Sequence, residues 1–289
     1  MSTGYIEYFK TSVYPHIKDF DFVHDLAEYN HKRVGLSLNT ETQNIPSLAD
    51  YTNLETLHCF RVSEAQLKDL PKLNTVKNLN MMASTIEDLS FLKQFPNLIF
   101  LTIDGCPNLL STSGLAALSQ IKILSFVGNL NLRDYTEVAA LKNLTVLKLT
   151  GTTAGSTLKM GNLKWLSSLQ NLEDLTLENI STPKGELSPI AKLRNLKRLI
   201  IPAKSKLEQI AYLMGSLPDT KCFHFAPFHT AFNKHDEFLN CVNCGTPKIR
   251  LTGRGKGRVI CKKCDVEILD LHMKTFNEWS ERGRKERDG

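Results

Sequence analysis

With 289 residues, 42% of them apolar and 23% charged, and a mean hydropathy of −0.21, the chain has the composition of a soluble globular protein with a sizeable core. No apolar run approaches the roughly 20 residues needed to cross a bilayer, and Met1–Asp19 scatters aromatics among charges where a secretory signal would be continuously apolar. The expectation is a cytoplasmic protein with no membrane partner. The formal charge of +6 is uneven: residues 241–289 hold 12 Lys and Arg against 7 Asp and Glu, and the first 240 hold 24 against 23. The basic character belongs to the tail.

Residues 1–32 are expected to form an N-terminal cap, with Tyr5, Ile6, Tyr8, Phe9, Tyr14, Ile17, Phe20, Phe22, Val23 and Leu26 covering the open end of a repetitive core. From Leu54 to Ile201 one phrase recurs seven times: apolar, two residues, apolar, one residue, apolar. The copies are Leu54-Leu57-Cys59, Val76-Leu79-Met81, Leu98-Leu101-Ile103, Ile121-Leu124-Phe126, Leu144-Leu147-Leu149, Leu172-Leu175-Leu177 and Leu196-Leu199-Ile201. Their first positions advance by 22, 22, 23, 23, 28 and 24 residues. Such a period marks a stacked solenoid, because one repeat cannot bury its apolar side alone. An eighth unit precedes them, with Leu36 and Leu38 in the strand positions.

The phrase resembles the leucine-rich repeat, over residues 33–225, and the repeat length is similar to the short type found in intracellular proteins. The resemblance implies an α/β fold: parallel strands on a concave face, short helices or loops on the convex one. The position that holds Asn or Cys in the family is taken here by Val62, Ser84, Cys106, Asn129, Thr152, Ile180 and Lys204, so only Cys106 and Asn129 match. Helix-like stretches are expected at 114–118, 138–141, 163–169 and 190–193, with a Gly- and Thr-rich loop at 152–161.

Strand alternation turns the residues between the apolar positions to the concave face. The middle column then reads Ser37, His58, Asn80, Thr102, Ser125, Lys148, Thr176 and Ile200. Beside it lie two apolar patches, Phe100, Ile123 and Val146 with Val127, and Phe60 with Met82. Exposed apolar clusters mark contact surfaces, so these six residues are the candidate partner-binding face.

A helix is expected at Leu207–Leu213 and a last strand at Lys221–Phe225, followed by a junction at 226–240 rich in Phe and His. The module at 241–289 opens with Cys241-x2-Cys244, and after 16 residues comes Cys261-x2-Cys264. Four thiolates at this spacing suit tetrahedral Zn2+, one ion per chain, and leave no open position for chemistry, so the site is expected to be structural. The segment between them reads as a hairpin turning at Gly253–Gly257, with Val266–Leu271 as a third strand, and resembles a zinc ribbon. The other cysteines, Cys59, Cys106 and Cys222, are expected to be core residues in a reducing compartment.

No G-x-S-x-G or H-E-x-x-H element occurs, and the chain is read as a non-enzymatic recognition protein with a protein partner and no small-molecule substrate. One alternative is a nucleic-acid adaptor touching phosphates through Arg254, Lys256, Arg258, Lys262 and Lys263, although exposed aromatics interleaved with them are not expected. A further alternative is an immunity-type inhibitor or regulator of an enzyme.

Overall fold

The computed structural model describes residues 22–152, 155–233, 237–253 and 258–289. Of the expected cap, Tyr5, Ile6, Tyr8, Phe9, Tyr14, Ile17 and Phe20 lie outside the described residues. The chain divides into two compact units, Met1–Lys159 and Met160–Gly289.

In the first unit six strands follow the repeat phrase: β1 (Gly35–Leu38), β2 (Thr56–Phe60), β3 (Asn78–Met82), β4 (Phe100–Asp104), β5 (Ile123–Val127) and β6 (Val146–Thr150). Each pairs parallel with the next, in a register that stacks Leu36, Leu57, Leu79, Leu101, Leu124 and Leu147 in one column. A second column runs through Leu38, Cys59, Met81, Ile103, Phe126 and Leu149. No member of either column is more than 3% exposed. Period-two alternation sends both columns to one side of the sheet, and that burial is what couples each coil to its neighbour.

The chain leaves β2, β3, β4 and β5 through a residue with positive φ: Arg61, Ala83, Gly105 and Gly128. Their N–H groups donate to the last carbonyl of the next strand, at Met82, Asp104, Val127 and Thr150, over 2.8 to 2.9 Å. The left-handed turn therefore hydrogen-bonds coil to coil. Beyond it, Asn129, fully buried, accepts from the Cys106 N–H at 2.9 Å and donates to Ile103 O at 2.8 Å and Val127 O at 3.1 Å. A separate row is not evident from the sequence: Asn97, Asn143 and Asn195, each just before the first Leu of its phrase, donate to carbonyls about one repeat upstream, at Asn74, Ser119 and Gln170.

The outer half of the first unit is built from 3-10 turns, Ile45–Asp50, Ser90–Gln94, Leu115–Ala117 and Thr136–Ala140, and one short helix, α1 (Glu64–Lys68), closed by a Ser63/Gln66 capping box. At the start, Phe22 bridges to Ser37, Val23 and Leu26 are buried, and the Tyr51 hydroxyl donates to Leu26 O at 2.8 Å. In the loop after β6, Ser156 O accepts the Thr152 N–H, and the two-residue strand β7 (Leu158–Lys159) anchors it through the buried Leu158.

The second unit carries parallel strands β8 (Asp174–Glu178) and β10 (Arg198–Ile200), the two-residue β9 (Ile180–Ser181), and helix α2 (Leu207–Ser216). It also holds a three-stranded antiparallel sheet, β11 (Phe228–Thr230), β12 (Lys248–Leu251) and β13 (Val259–Cys261), and the 23-residue helix α3 (Val266–Asp288).

Two expectations are corrected here. Lys221–Phe225 is not a strand: only Lys221 bridges to Arg198, and the Phe225 N–H turns back to Cys222 O. Val266–Leu271 is not the third strand of the ribbon but the first turns of α3. The third strand is β11, drawn from the junction. The helical period becomes visible only over a longer window, with His272, Phe276, Ser280 and Gly283 buried on one face.

That face packs on α2 through small residues. A Cβ at Gly215 would lie 1.8 Å from Ser280 O, and one at Gly283 would lie 2.1 Å from Tyr212 O. The Tyr212 hydroxyl donates to Glu286 at 2.8 Å across the same contact. Ile268 and Leu269 close the ribbon core of Ile249, Leu251 and Ile260, and buried His272 hydrogen-bonds Pro227 O at 2.7 Å. Helix α3 thereby ties the ribbon to the end of the repeats within this unit.

Asn129→Ala leaves a buried N–H and a buried carbonyl unpaired, and is expected to lower stability by about 3 kcal/mol, read from the urea midpoint. Gly283→Leu drives a side chain into the α2 backbone and is expected to cost about 1–3 kcal/mol or more. An unchanged melting temperature for the Gly283 variant would contradict the helix contact.

Candidate functional site

The four cysteines meet as their spacing predicts. Cys241 and Cys244 sit on a turn in which the Gly245 N–H donates to Cys241 O at 2.9 Å. Cys261 ends β13 and begins a matching turn, with the Asp265 N–H on Cys261 O at 3.0 Å and the Asp265 carboxylate accepting the Cys261 N–H at 2.7 Å. All four Sγ atoms lie within 4.8 Å of one another. The sulfur separations are 3.4 Å for Cys244–Cys261, 3.6 Å for Cys244–Cys264 and 3.8 Å for Cys241–Cys264. A tetrahedral ion with metal–sulfur bonds of about 2.3 Å has edges of about 3.8 Å, whereas a disulfide would need about 2.05 Å. The cluster fits a metal ion and holds no disulfide.

The thiols are unequal. Thr246 hydrogen-bonds the Cys244 sulfur and holds its pKa down at about 6, and the Asn243 and Cys244 N–H groups lower that of Cys241. Hydrogen bonding to Cys244, then Cys241, pushes Cys264 up to about 12. Metal binding displaces thiol protons, because the thiolate is the ligand. Cys59 and Cys106 are different: both are buried, and desolvation raises their pKa, to about 12 for Cys106, so they behave as inert core residues.

On the first unit's sheet, the six expected contact residues fall out unequally. Ile123, Val127, Val146, Phe60 and Met82 are half-buried, with Ile123 in register with Val146. Phe100 is only 4% exposed, which corrects the expectation that it faces solvent: the chain's own atoms cover this ring. The Phe60 ring meets Phe22 with centroids 6.0 Å apart, so part of the second patch is taken up by the cap. The middle column is buried too, at 2 to 6% for Ser37, His58, Asn80, Thr102 and Ser125. These short side chains lie in a trough between bulkier rows. Among them Asn80 Oδ1, Thr102 Oγ1 and Ser125 Oγ have no hydrogen-bond partner among the described residues. Asp104 flanks the trough, its pKa raised by burial and moderated by Lys148.

Of the expected phosphate contacts, Arg258, Lys262 and Lys263 are exposed, while Arg254 and Lys256 lie outside the described residues. Lys262 Nζ sits 4.4 Å over the Phe228 ring. One exposed ring of this unit lies outside the segment that carries these cations. Phe223 is 75% exposed and stacks on His229, with centroids 4.3 Å apart and planes 6° from parallel. The signal in the sequence is the run of Phe and His through the junction, which by itself marks only a change of texture.

No family model matches the sequence, and no curated protein matches it. Solved structures do. The chain is similar to mouse RP105 in its complex with MD-1, at 21% identity and a TM-score of 0.51, over 70% of this chain and 36% of that one. It is also similar to an internalin (InlF) of Listeria monocytogenes at 17% identity, TM-score 0.45, over 65% of this chain and 66% of that one. Internalin C2 of the same organism matches at 20% identity, TM-score 0.38, over 58% and 79%. Together with the parallel ladder, the likeness to RP105 defines the class: a leucine-rich-repeat α/β fold, here with a C-terminal cluster of four cysteines.

Metal binding at pH 7.5 is expected to release at least one proton, seen as a buffer-dependent heat in calorimetry. Affinity should fall as pH drops, because each ligand thiolate is reprotonated. A buffer-independent heat would contradict four-thiolate ligation.

Proposed function

We propose that the chain is a non-enzymatic recognition protein whose repeats hold a protein partner on the concave face, around Ile123, Val127 and Val146, and whose four cysteines hold one structural Zn2+. The carrying observation is the trough beside those residues. Asn80, Thr102 and Ser125 stand on adjacent strands in one register row, each more than nine-tenths buried and each with an unanswered polar atom. Buried polar groups are rarely left unpaired, and a partner carrying hydrogen-bonding groups would answer them while Ile123 and Val146 supply the apolar anchor. The RP105 structure is a complex of two proteins, and that likeness of fold supports the same use of the repeats. Zinc is favoured among metals because four thiolates at tetrahedral spacing suit it and leave no site for substrate. The free thiols fit a reducing compartment, and the cytoplasm is part of this proposal.

A second reading, a nucleic-acid adaptor, is favoured by one observation: residues 241–264 carry seven Lys and Arg and no Asp or Glu. The immunity-type reading gains no observation of its own.

The test of the first reading is capture by the intact chain, followed by titration of whatever is captured. Ile123→Asp and Val146→Asp are expected to weaken the captured partner by about 2 kcal/mol, roughly 30-fold. Lys93→Glu, on an outer turn, should bind as the parent does. Equal binding by all three variants would sink the concave-face reading.

A further inference from the structure

The antiparallel sheet of the second unit has two faces of opposite character. Ile249, Leu251 and Ile260 point inward to Ile268 and Leu269. Antiparallel register puts His229, Arg250 and Val259 side by side on the other face, with Lys248 two residues along β12. On His229 lies the Phe223 ring, stacked on one side and three-quarters exposed. Phe223 also lines an open groove of about 680 Å³ shared with Arg198, Ile200, Lys221, Cys222 and Phe225.

We propose that this face binds single-stranded nucleic acid, one base stacking on Phe223 while Lys248 holds a neighbouring phosphate. The proposal rests on the nucleic-acid reading of the ribbon and adds to it a specific stacking platform. Charge complementarity favours this occupant. Residues 241–264 contain seven Lys and Arg and no Asp or Glu, whereas residues 265–289 contain five Lys and Arg against seven Asp and Glu. The excess of basic residues therefore belongs to residues 241–264 and not to helix α3. An acidic protein surface would answer the charge but leaves the planar Phe223–His229 stack without a use; a base answers both, because every base has a π-face. The two-ring stack is preformed, so its rings need no ordering on binding. Double-stranded nucleic acid offers its bases only at their edges and cannot use the ring.

The test is fluorescence anisotropy with the full chain as purified and labelled oligo-uridine or oligo-deoxythymidine of about 12 nucleotides. Binding in about 50 mM salt is expected, falling steeply as salt is raised. Phe223→Ala should weaken it about tenfold with the salt slope unchanged, and Phe223→Trp should restore it. Lys248→Ala should lower the salt slope by about one. Melting curves establish that the variants fold, which the exposure of Phe223 predicts. If Phe223→Ala binds as tightly as the parent, the platform is refuted while the ribbon's affinity for nucleic acid stands. If neither oligonucleotide binds at low salt, the inference and the adaptor reading both fail. If polyglutamate or a duplex of equal length competes as well as the single strand, the occupant is wrong and the surface is a general anion site.

Discussion

The repeats depend on one constraint: parallel strands held in a register that never slips. A shift of one residue would turn Leu57, Leu79, Leu101, Leu124 and Leu147 out of the core and bring His58, Asn80, Thr102, Ser125 and Lys148 into it. The leucine columns forbid that, and the left-handed residues after β2, β3, β4 and β5 each add a hydrogen bond to the next coil. A concave row arises as a by-product. The same alternation that hides the leucines lines up every intervening side chain at the strand spacing of about 4.8 Å. Its chemistry is then open to variation, which is why the polar trough and the Ile123–Val146 patch are informative about function and the leucines are not.

The ribbon has a different problem. Its central core of fully buried apolar residues is Ile249, Leu251 and Ile260, too little to order a small module by burial alone. Two further supports are present. One is helix α3, which lays Ile268 and Leu269 on that core and locks to α2 through Gly215 and Gly283. The other is the sulfur cluster, whose metal would contribute on the order of 10 kcal/mol.

Much of this is legible in the sequence because the repeat phrase encodes burial directly. The strand positions, the outer turns and the helix from Leu207 come from where the leucines fall. The Cys-x-x-Cys pairs are equally plain, since ligand spacing is a local property. Other features are not. The start of helix α3 reads as a strand because Val266–Leu271 is apolar at several spacings, and only the pattern through Gly283 decides the period. The cover over Phe100 is a tertiary fact that alternation cannot reveal: alternation fixes which face a side chain takes, not what lies above it. The Phe223–His229 stack joins residues on either side of a turn, and neither belongs to a motif. The concave row falls on the strands that alternation assigns, yet its burial at Asn80, Thr102 and Ser125 emerges only in three dimensions.

The central claim is that the leucine columns hold the repeats without help from metal, while metal holds the ribbon. Amide hydrogen exchange with and without a chelator tests it most directly. The account predicts that chelation strips protection from Ile249, Leu251 and Ile260 and leaves that of Leu79, Leu101 and Leu124 unchanged. Ribbon amides that stay protected in fully chelated protein would contradict it, as would loss of protection across β2 to β6.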